Sequence, residues 1–247
     1  MTGREDRVTA GHYDVPDAFD AGAQAYDGLV GANPGYHAHL RLSARRMQLP
    51  DRGRGLRLLD IGCGTGLSTA ALLGVAPDAE IVGVDGSTGM LAQARAKPWP
   101  SSVTFVHGRA ETLPDAGVTG RFDGILAAYL VRNVDDKDLV LGSIRDLLKP
   151  GAVLAVHEYS VRDSRRATAV WNAVSTAIII PAGRLRSGDA GLYRYLRRSV
   201  NEFDGAAAFR DRLRRNGFVD VQSMTVPGWQ RDIVHTFLGR APRAAAG

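Results

Sequence analysis

Leu58-Leu59-Asp60-Ile61-Gly62-Cys63-Gly64-Thr65-Gly66 is an apolar strand that runs into three glycines at every second position, and the helical pattern from Leu67 to Val75 follows at once. Glycine in that rhythm suits a loop that turns sharply and brings its backbone against a ligand. A dinucleotide fingerprint requires GxGxxG, whereas here the third glycine arrives one residue early and Leu67 holds the expected place. That disfavours a pyrophosphate. Asp85 ends the next apolar run, 19 residues after Gly66, where a carboxylate accepts hydrogen bonds from both hydroxyls of a ribose. Together these features point to a ligand containing adenosine.

Outward from this loop the chain keeps a strand and helix alternation. The pattern predicts strands at Leu56–Ile61, Ile81–Asp85, Val103–His107, Phe122–Ala128 and Ala152–Glu158. Between them it predicts helices at Leu67–Val75 and Ser87–Lys97, and one capped by Asp135 whose apolar face is Val140, Ile144, Leu147 and Leu148, stopped by Lys149-Pro150-Gly151. Strands that are apolar on both faces and separated by helices imply a parallel sheet covered on both sides. Upstream, Asn33-Pro34 reads as the start of a helix with Tyr36, Leu40, Ala44 and Met47 on one face. Downstream, helical stretches near Ala167, Gly191–Val200 and Ala206–Arg215 precede strands at Phe218–Thr225 and Asp232–Leu238, close enough to pair as a hairpin. The expected fold is a single Rossmann-like α/β domain with a mostly parallel seven-stranded sheet ending in an antiparallel hairpin. Residues 1–50 form an N-terminal helical lid region and 51–247 the core, with a helical acceptor-side insertion at about 161–204.

The 247 residues are 45% hydrophobic and 23% charged, an ordinary globular composition. Cys63 is the single cysteine, so no intrachain disulfide forms and a cytoplasmic setting is expected. The N-terminus lacks the pattern of a secretory signal. No uncharged stretch exceeds the 17 residues from Ala167 to Gly183, short of the roughly 20 that span a bilayer. Of the formal net charge of +5, residues 161–200 carry eight arginines against two aspartates, so the rest of the chain is close to neutral. Such a segment meets an anionic lipid surface, an acidic substrate or nucleic acid, or is a solvated face. The histidines show no metal-ligand spacing, and no metal is expected.

The DxGxGxG loop paired with an acidic end to the second strand resembles the class I S-adenosylmethionine-dependent methyltransferases. The resemblance implies that Asp60 and the backbone of Gly62, Cys63 and Gly64 face the methionine part of the cofactor, that Asp85 holds the ribose and that Met90 lies against adenine. It adds Gly66, Gly86, Ala110, Glu111 and Ala127 to the binding set. A closer resemblance, from Phe19 to about Arg240, is to the ubiquinone/menaquinone biosynthesis C-methyltransferases. Four segments carry it: Phe19-Asp20-Ala21-Gly22-Ala23-Gln24-Ala25-Tyr26-Asp27; Leu130-Val131-Arg132-Asn133-Val134; Leu148-Lys149-Pro150-Gly151 with Glu158-Tyr159-Ser160; and Ser187-Gly188-Asp189 with Tyr193-Arg194-Tyr195-Leu196 and Ser199-Val200 through Phe203. In that family the tyrosine matching Tyr26 closes over the cofactor. The chain departs from the family at Arg109, which stands where a carboxylate is expected to accept adenine's amino group, at Tyr36-His37-Ala38-His39-Leu40-Arg41, and at Asp232-Ile233-Val234-His235-Thr236-Phe237.

Methyl transfer from a sulfonium is an in-line displacement that needs a positioned acceptor and a dry site. A phenol or quinol attacks through carbon once its hydroxyl is ionised or strongly hydrogen-bonded, which calls for a base or a cationic partner. Open α/β sheets bind ligands at the carboxyl ends of their strands, and this selects Tyr129, Arg132, Asn133, His157 and Glu158. Alternation along the strand turns His157 and Glu158 to opposite faces. Arg132 suits a developing oxyanion, unless it pairs with Asp135 or Asp136. The leading expectation is C-methylation of a quinol or related aromatic. Methylation of a polar natural product at oxygen or nitrogen, and a non-catalytic cofactor-binding protein, stay open beside it. Nucleic-acid methylation lacks its motif, since Ala127-Ala128-Tyr129-Leu130 replaces (N/D)PP(Y/F). The apolar helix from Ala167 with its flanking arginines is read as an entry for a lipid-tailed acceptor with transient membrane-surface contact, or as a homodimer interface.

Overall fold

The structure, a computed structural model, describes Gly28, Gly31 and residues 33–187 and 191–243. Its centre is a seven-stranded sheet of β1 (Arg57–Ile61), β2 (Glu80–Asp85), β3 (Val103–His107), β4 (Phe122–Ala128), β5 (Leu148–Tyr159), β6 (Val219–Thr225) and β7 (Val234–Arg240), in the order β3-β2-β1-β4-β5-β7-β6. Strands β1 to β5 pair in parallel, β7 runs antiparallel to β5, and β6 pairs antiparallel with β7. The order reverses at β1, so the loops leaving β1 and β4 face a common crevice. This is the switch point at which open sheets place ligands.

Alternation divides the strand residues between two cores. Leu59, Ile61, Ile125, Leu154, Val156 and Phe237 pack beneath α4 (Lys137–Asp146) and α8 (Ala206–Arg215). Leu58, Ile81, Leu126, Val153, Ala155 and Leu238 pack beneath α1 (Tyr36–Arg46) and α2 (Leu67–Val75). α3 (Thr88–Arg95) flanks β2 and β3. The apolar face read for α1 is buried as a set, Tyr36, Leu40, Ala44 and Met47 being at most 7% exposed. A third cluster, built on Tyr159, Val161, Trp171, Val200 and Ile233, holds α5 (Arg165–Val174) against the carboxyl end of the sheet. From α5 the chain passes through a wide helical turn, Ser175–Ile179, to α6 (Ile180–Ser187), and α7 (Gly191–Glu202) follows.

Three local expectations are corrected. Asn33-Pro34 sits in a turn, with Tyr36 N donating to Asn33 O, and α1 begins after Gly35 at φ 94°; the His39 ring occupies the place a Cβ on Gly35 would take. α4 is capped by Asp136 rather than Asp135, its Oδ1 accepting from Leu139 N at 2.9 Å. Lys149-Pro150-Gly151 does not separate helix from strand, because β5 already starts at Leu148 and carries the three residues along its exposed end.

Candidate active site

The glycine loop turns under the end of β2. Gly62 N and Cys63 N donate to Val84 O, and Gly62, Gly64 and Gly66 adopt φ of 71°, 55° and 87°, the left-handed region that glycine enters without strain. A side chain at Gly66 would strike Trp99 and one at Gly62 would meet Leu130, whereas the space beside Gly64 is open. Asp85 clamps the loop by accepting from Gly64 N at 2.7 Å on Oδ2 and from Ser87 N at 2.8 Å on Oδ1. Below it Asp60 is fully buried; its Oδ2 accepts from the hydroxyls of Ser68 and Thr69 at 2.7 and 2.6 Å, and its Oδ1 has no partner among the described residues. Burial pushes this carboxyl up to about 7, against the pull of the two hydroxyls. Cys63 is buried and its thiol is pushed well up by the same desolvation, so it packs rather than reacts.

Around the loop, Ser87 caps α3 by accepting from Met90 N, and Met90, Ala110 and Ala127 are buried. His107 Nε2 donates to Gly86 O. Arg109 lies 4.0 Å from Glu111. Tyr26, Gly188 and Asp189 fall outside the described residues.

At the end of β4 Tyr129 takes a φ of 56°, costly for a residue with a side chain and held by its surroundings. Its N donates to His157 O, and its carbonyl accepts from Arg132 Nη1 at 2.8 Å and Asn133 Nδ2 at 3.0 Å. Asn133 Oδ1 in turn accepts from Tyr195 of α7. The alternative ion pair read for Arg132 is corrected: its partner is Glu158, 2.8 Å away, with both side chains at most 5% exposed. Glu158 also accepts from the backbone N–H groups of Arg132 and Tyr159. Burial works against the guanidinium charge, and Glu158 outweighs it, raising the Arg132 pKa. Arg132 Nε is buried without a partner among the described residues.

His157 points the other way, toward α1. Its Nδ1 lies 2.7 Å from Ser43 Oγ and its Nε2 lies 3.0 Å from the Tyr129 hydroxyl. Burial, then the charges of His39, Arg46 and His235, lower its pKa to about 3. The ring is neutral near neutrality with both nitrogens engaged by protein hydroxyls, which leaves it no site to take a proton from a ligand. Four aromatic rings line the same end of the sheet: Tyr36 stacks on Tyr129 at 5.5 Å, Tyr129 meets Tyr159 at 5.0 Å, and Tyr159 meets Trp171 at 4.9 Å. They come from α1, the residue just after β4, β5 and α5, so the lid helix and the insertion converge on one wall. Ser43, Arg46 and Thr236 were not singled out from the sequence. The signal was present in α1, where His39, Ser43 and Arg46, spaced i, i+4, i+7, form a polar stripe beside the apolar one.

The sequence profile of the ubiE/COQ5 methyltransferase family matches residues 7–229. The chain belongs to that family. It is a methyltransferase of the S-adenosylmethionine-dependent class. A ubiquinone/menaquinone biosynthesis C-methyltransferase UbiE from Bradyrhizobium diazoefficiens is 34% identical over 185 residues, 72% of each chain. A demethylmenaquinone methyltransferase from Thermus thermophilus is 33% identical over 198 residues, 79% of this chain and 89% of that one. Among solved structures, a putative methyltransferase in complex with the Haloferax volcanii Trm112 activator matches with a TM-score of 0.65 at 19% identity over 91% of this chain and 98% of that one. The [4+2]-cyclase SpnF matches equally well, at 0.65 and 19% over 94% and 97%. A fold shared with a cyclase does not fix the reaction, so the acceptor has to be argued from the site.

Proposed function

We propose that this methyltransferase C-methylates a quinol or closely related hydroxylated aromatic, with S-adenosylmethionine as methyl donor. The observation that carries this reading is the four-ring aromatic wall set beside the glycine loop, the two being joined where Leu130 packs over Gly62. A flat aromatic acceptor stacks on such a wall. The names of the quinone-methylating relatives support the same class of acceptor. When bound, the sulfonium supplies an electrophilic methyl group.

The residues present fit that donor. The Oδ1 of Asp60, without a partner among the described residues, suits a cationic N–H group such as the cofactor's ammonium, and the space beside Gly64 in the same loop is open. Asp85 stands at the strand end where a ribose is held. Replacing Asp85 by alanine is expected to weaken binding of S-adenosylhomocysteine by about 1.5–3 kcal/mol, the range for hydrogen bonds to a charged group. Calorimetry reads this directly, and unchanged affinity would remove the ribose assignment. On the acceptor side, the unpartnered Nε of Arg132 is a buried cationic donor for a phenolate oxygen. Trp171 faces inward, while Ala177 and Ile178 are exposed on the same helical insertion that carries the exposed Arg165, Arg166 and Arg184. A segment with both exposed apolar side chains and exposed arginines suits the entry of a lipid-tailed acceptor from an anionic surface.

The deciding experiment incubates the protein with methyl-labelled S-adenosylmethionine and separate pools of lipid quinols, polar metabolites and RNA. Label is expected on ring carbon in the quinol pool. Label confined to oxygen or nitrogen of polar metabolites would replace this acceptor.

A further inference from the structure

Five polar side chains form one hydrogen-bonded line behind the aromatic wall. Arg46 Nη1 donates to Thr236 Oγ1 at 2.8 Å, Thr236 Oγ1 lies 2.6 Å from Ser43 Oγ, Ser43 Oγ lies 2.7 Å from His157 Nδ1, and His157 Nε2 lies 3.0 Å from the Tyr129 hydroxyl. Ser43, His157 and Thr236 are fully buried. The direction of the line follows from its first member. A guanidinium only donates, so Thr236 accepts from it. Thr236 then gives its own proton to Ser43, and Ser43 gives its proton to His157 Nδ1. A neutral ring that accepts on Nδ1 carries its proton on Nε2 and donates it to the Tyr129 oxygen. Reversed, the line would leave the buried Thr236 proton without an acceptor among the described residues, a costly arrangement.

At Tyr129 the line reaches the site. Tyr129 precedes Leu130, which packs over Gly62 of the cofactor loop, and its ring lies between Tyr36 and Tyr159. An oxygen that accepts one hydrogen bond donates a second more strongly. We propose that the Tyr129 hydroxyl is the specificity-determining contact of this methyltransferase, donating to a ring oxygen of the acceptor, and that Arg46, Thr236, Ser43 and His157 are positioning residues that fix it in that role. The inference rests on the aromatic-acceptor reading and deepens it. A site with an oriented donor selects acceptors whose oxygen is a carbonyl or phenolate, and holding that oxygen presents the neighbouring ring carbon to the methyl group.

Two measurements test it. Nitrogen-15 spectra of the imidazole rings, assigned with a His157→Gln variant, are expected to show His157 neutral with its proton on Nε2 between about pH 6 and 8. A proton on Nδ1 would overturn the line whatever the acceptor is. The second measurement uses a short-tailed prenyl-1,4-naphthoquinol with S-adenosylmethionine. Thr236→Val, which removes only the hydroxyl of a residue remote from the wall, is expected to lower kcat/KM about tenfold with S-adenosylhomocysteine affinity unchanged, and Thr236→Ser to restore it. Tyr129→Phe is expected to lose about 10–100-fold. Equal activity of Thr236→Val and Thr236→Ser, or full activity of Tyr129→Phe, would overturn the proposal. A wild type that methylates no quinol would overturn the acceptor reading, and the tautomer would then decide the line by itself.

Discussion

Replacing Arg132 by alanine is expected to destabilise the protein by about 3–5 kcal/mol, because it leaves the Glu158 carboxylate buried with its countercharge removed. The magnitude follows from the geometry: Arg132 is 5% and Glu158 0% exposed, 2.8 Å apart. Arg132 also ties down the Tyr129 carbonyl, so the loop after β4 loses its anchor at the same time. The double variant Arg132→Met with Glu158→Gln removes both charges and keeps an amide oxygen for the backbone N–H of Tyr159, the shorter of the two backbone bonds that Glu158 accepts on its separate oxygens. It is expected to recover most of the loss, as neutral replacement of a buried pair commonly does. Urea denaturation of the three proteins separates the cases. A single variant within about 1 kcal/mol of wild type would show that the pair is not what holds the loop, and a loss of turnover in that protein would fall on the acceptor directly.

Much of the fold was legible because its signals are local. A parallel strand apolar on both faces, a glycine loop and a capped helix each announce themselves within ten residues, and the seven-stranded sheet with its antiparallel end follows from their order. The errors lay at boundaries, where one-residue choices depend on tertiary contacts. Asp135 and Asp136 are equal as caps on paper, and Leu139 N decides between them. Pro34 has the right chemistry for a first helical turn, but the His39 ring against Gly35 makes the preceding residues a turn.

The site was legible by half. Tyr129, Arg132, Asn133, His157 and Glu158 could be chosen from topology, since they lie at or just beyond the carboxyl ends of β4 and β5. Their pairing could not. Opposite faces of β5 were foreseen for His157 and Glu158, yet their partners come from 114 and 26 residues away, Ser43 and Arg132. Such distant pairs leave no mark on local sequence. Nor does the sequence show that burial, by removing water from both nitrogens, lowers the His157 pKa far below its ordinary value.

Asp60 carries the second large effect, and it is expected as a pH dependence of stability. Its carboxyl is held at about 7 in the folded protein without ligand, against an ordinary 3.8. Between those values the unfolded chain has lost the proton while the folded protein keeps it, so stability falls as pH rises from about 4 to 7 and is level above that. A shift of this size is worth about 4 kcal/mol. His157 slopes the other way over an overlapping range, because its folded pKa of about 3 lies below the ordinary 6.5, so the measurement has to be a difference between two proteins that both keep it. Asp60→Asn cannot ionise and its oxygen can still accept from Ser68 and Thr69. Relative to wild type it should gain stability steadily from pH 4 to 7 and then hold constant. If the ammonium contact proposed for Oδ1 holds, S-adenosylmethionine should reduce that difference at neutral pH, by an amount that grows with the logarithm of its concentration over the wild-type Kd, because the amide would offer the ammonium nothing comparable. Denaturation curves of both proteins from pH 4.5 to 8, with and without the cofactor, test this. A pH-independent difference would mean that Asp60 is ionised throughout and already satisfied, and the orphaned oxygen would then no longer point to a ligand.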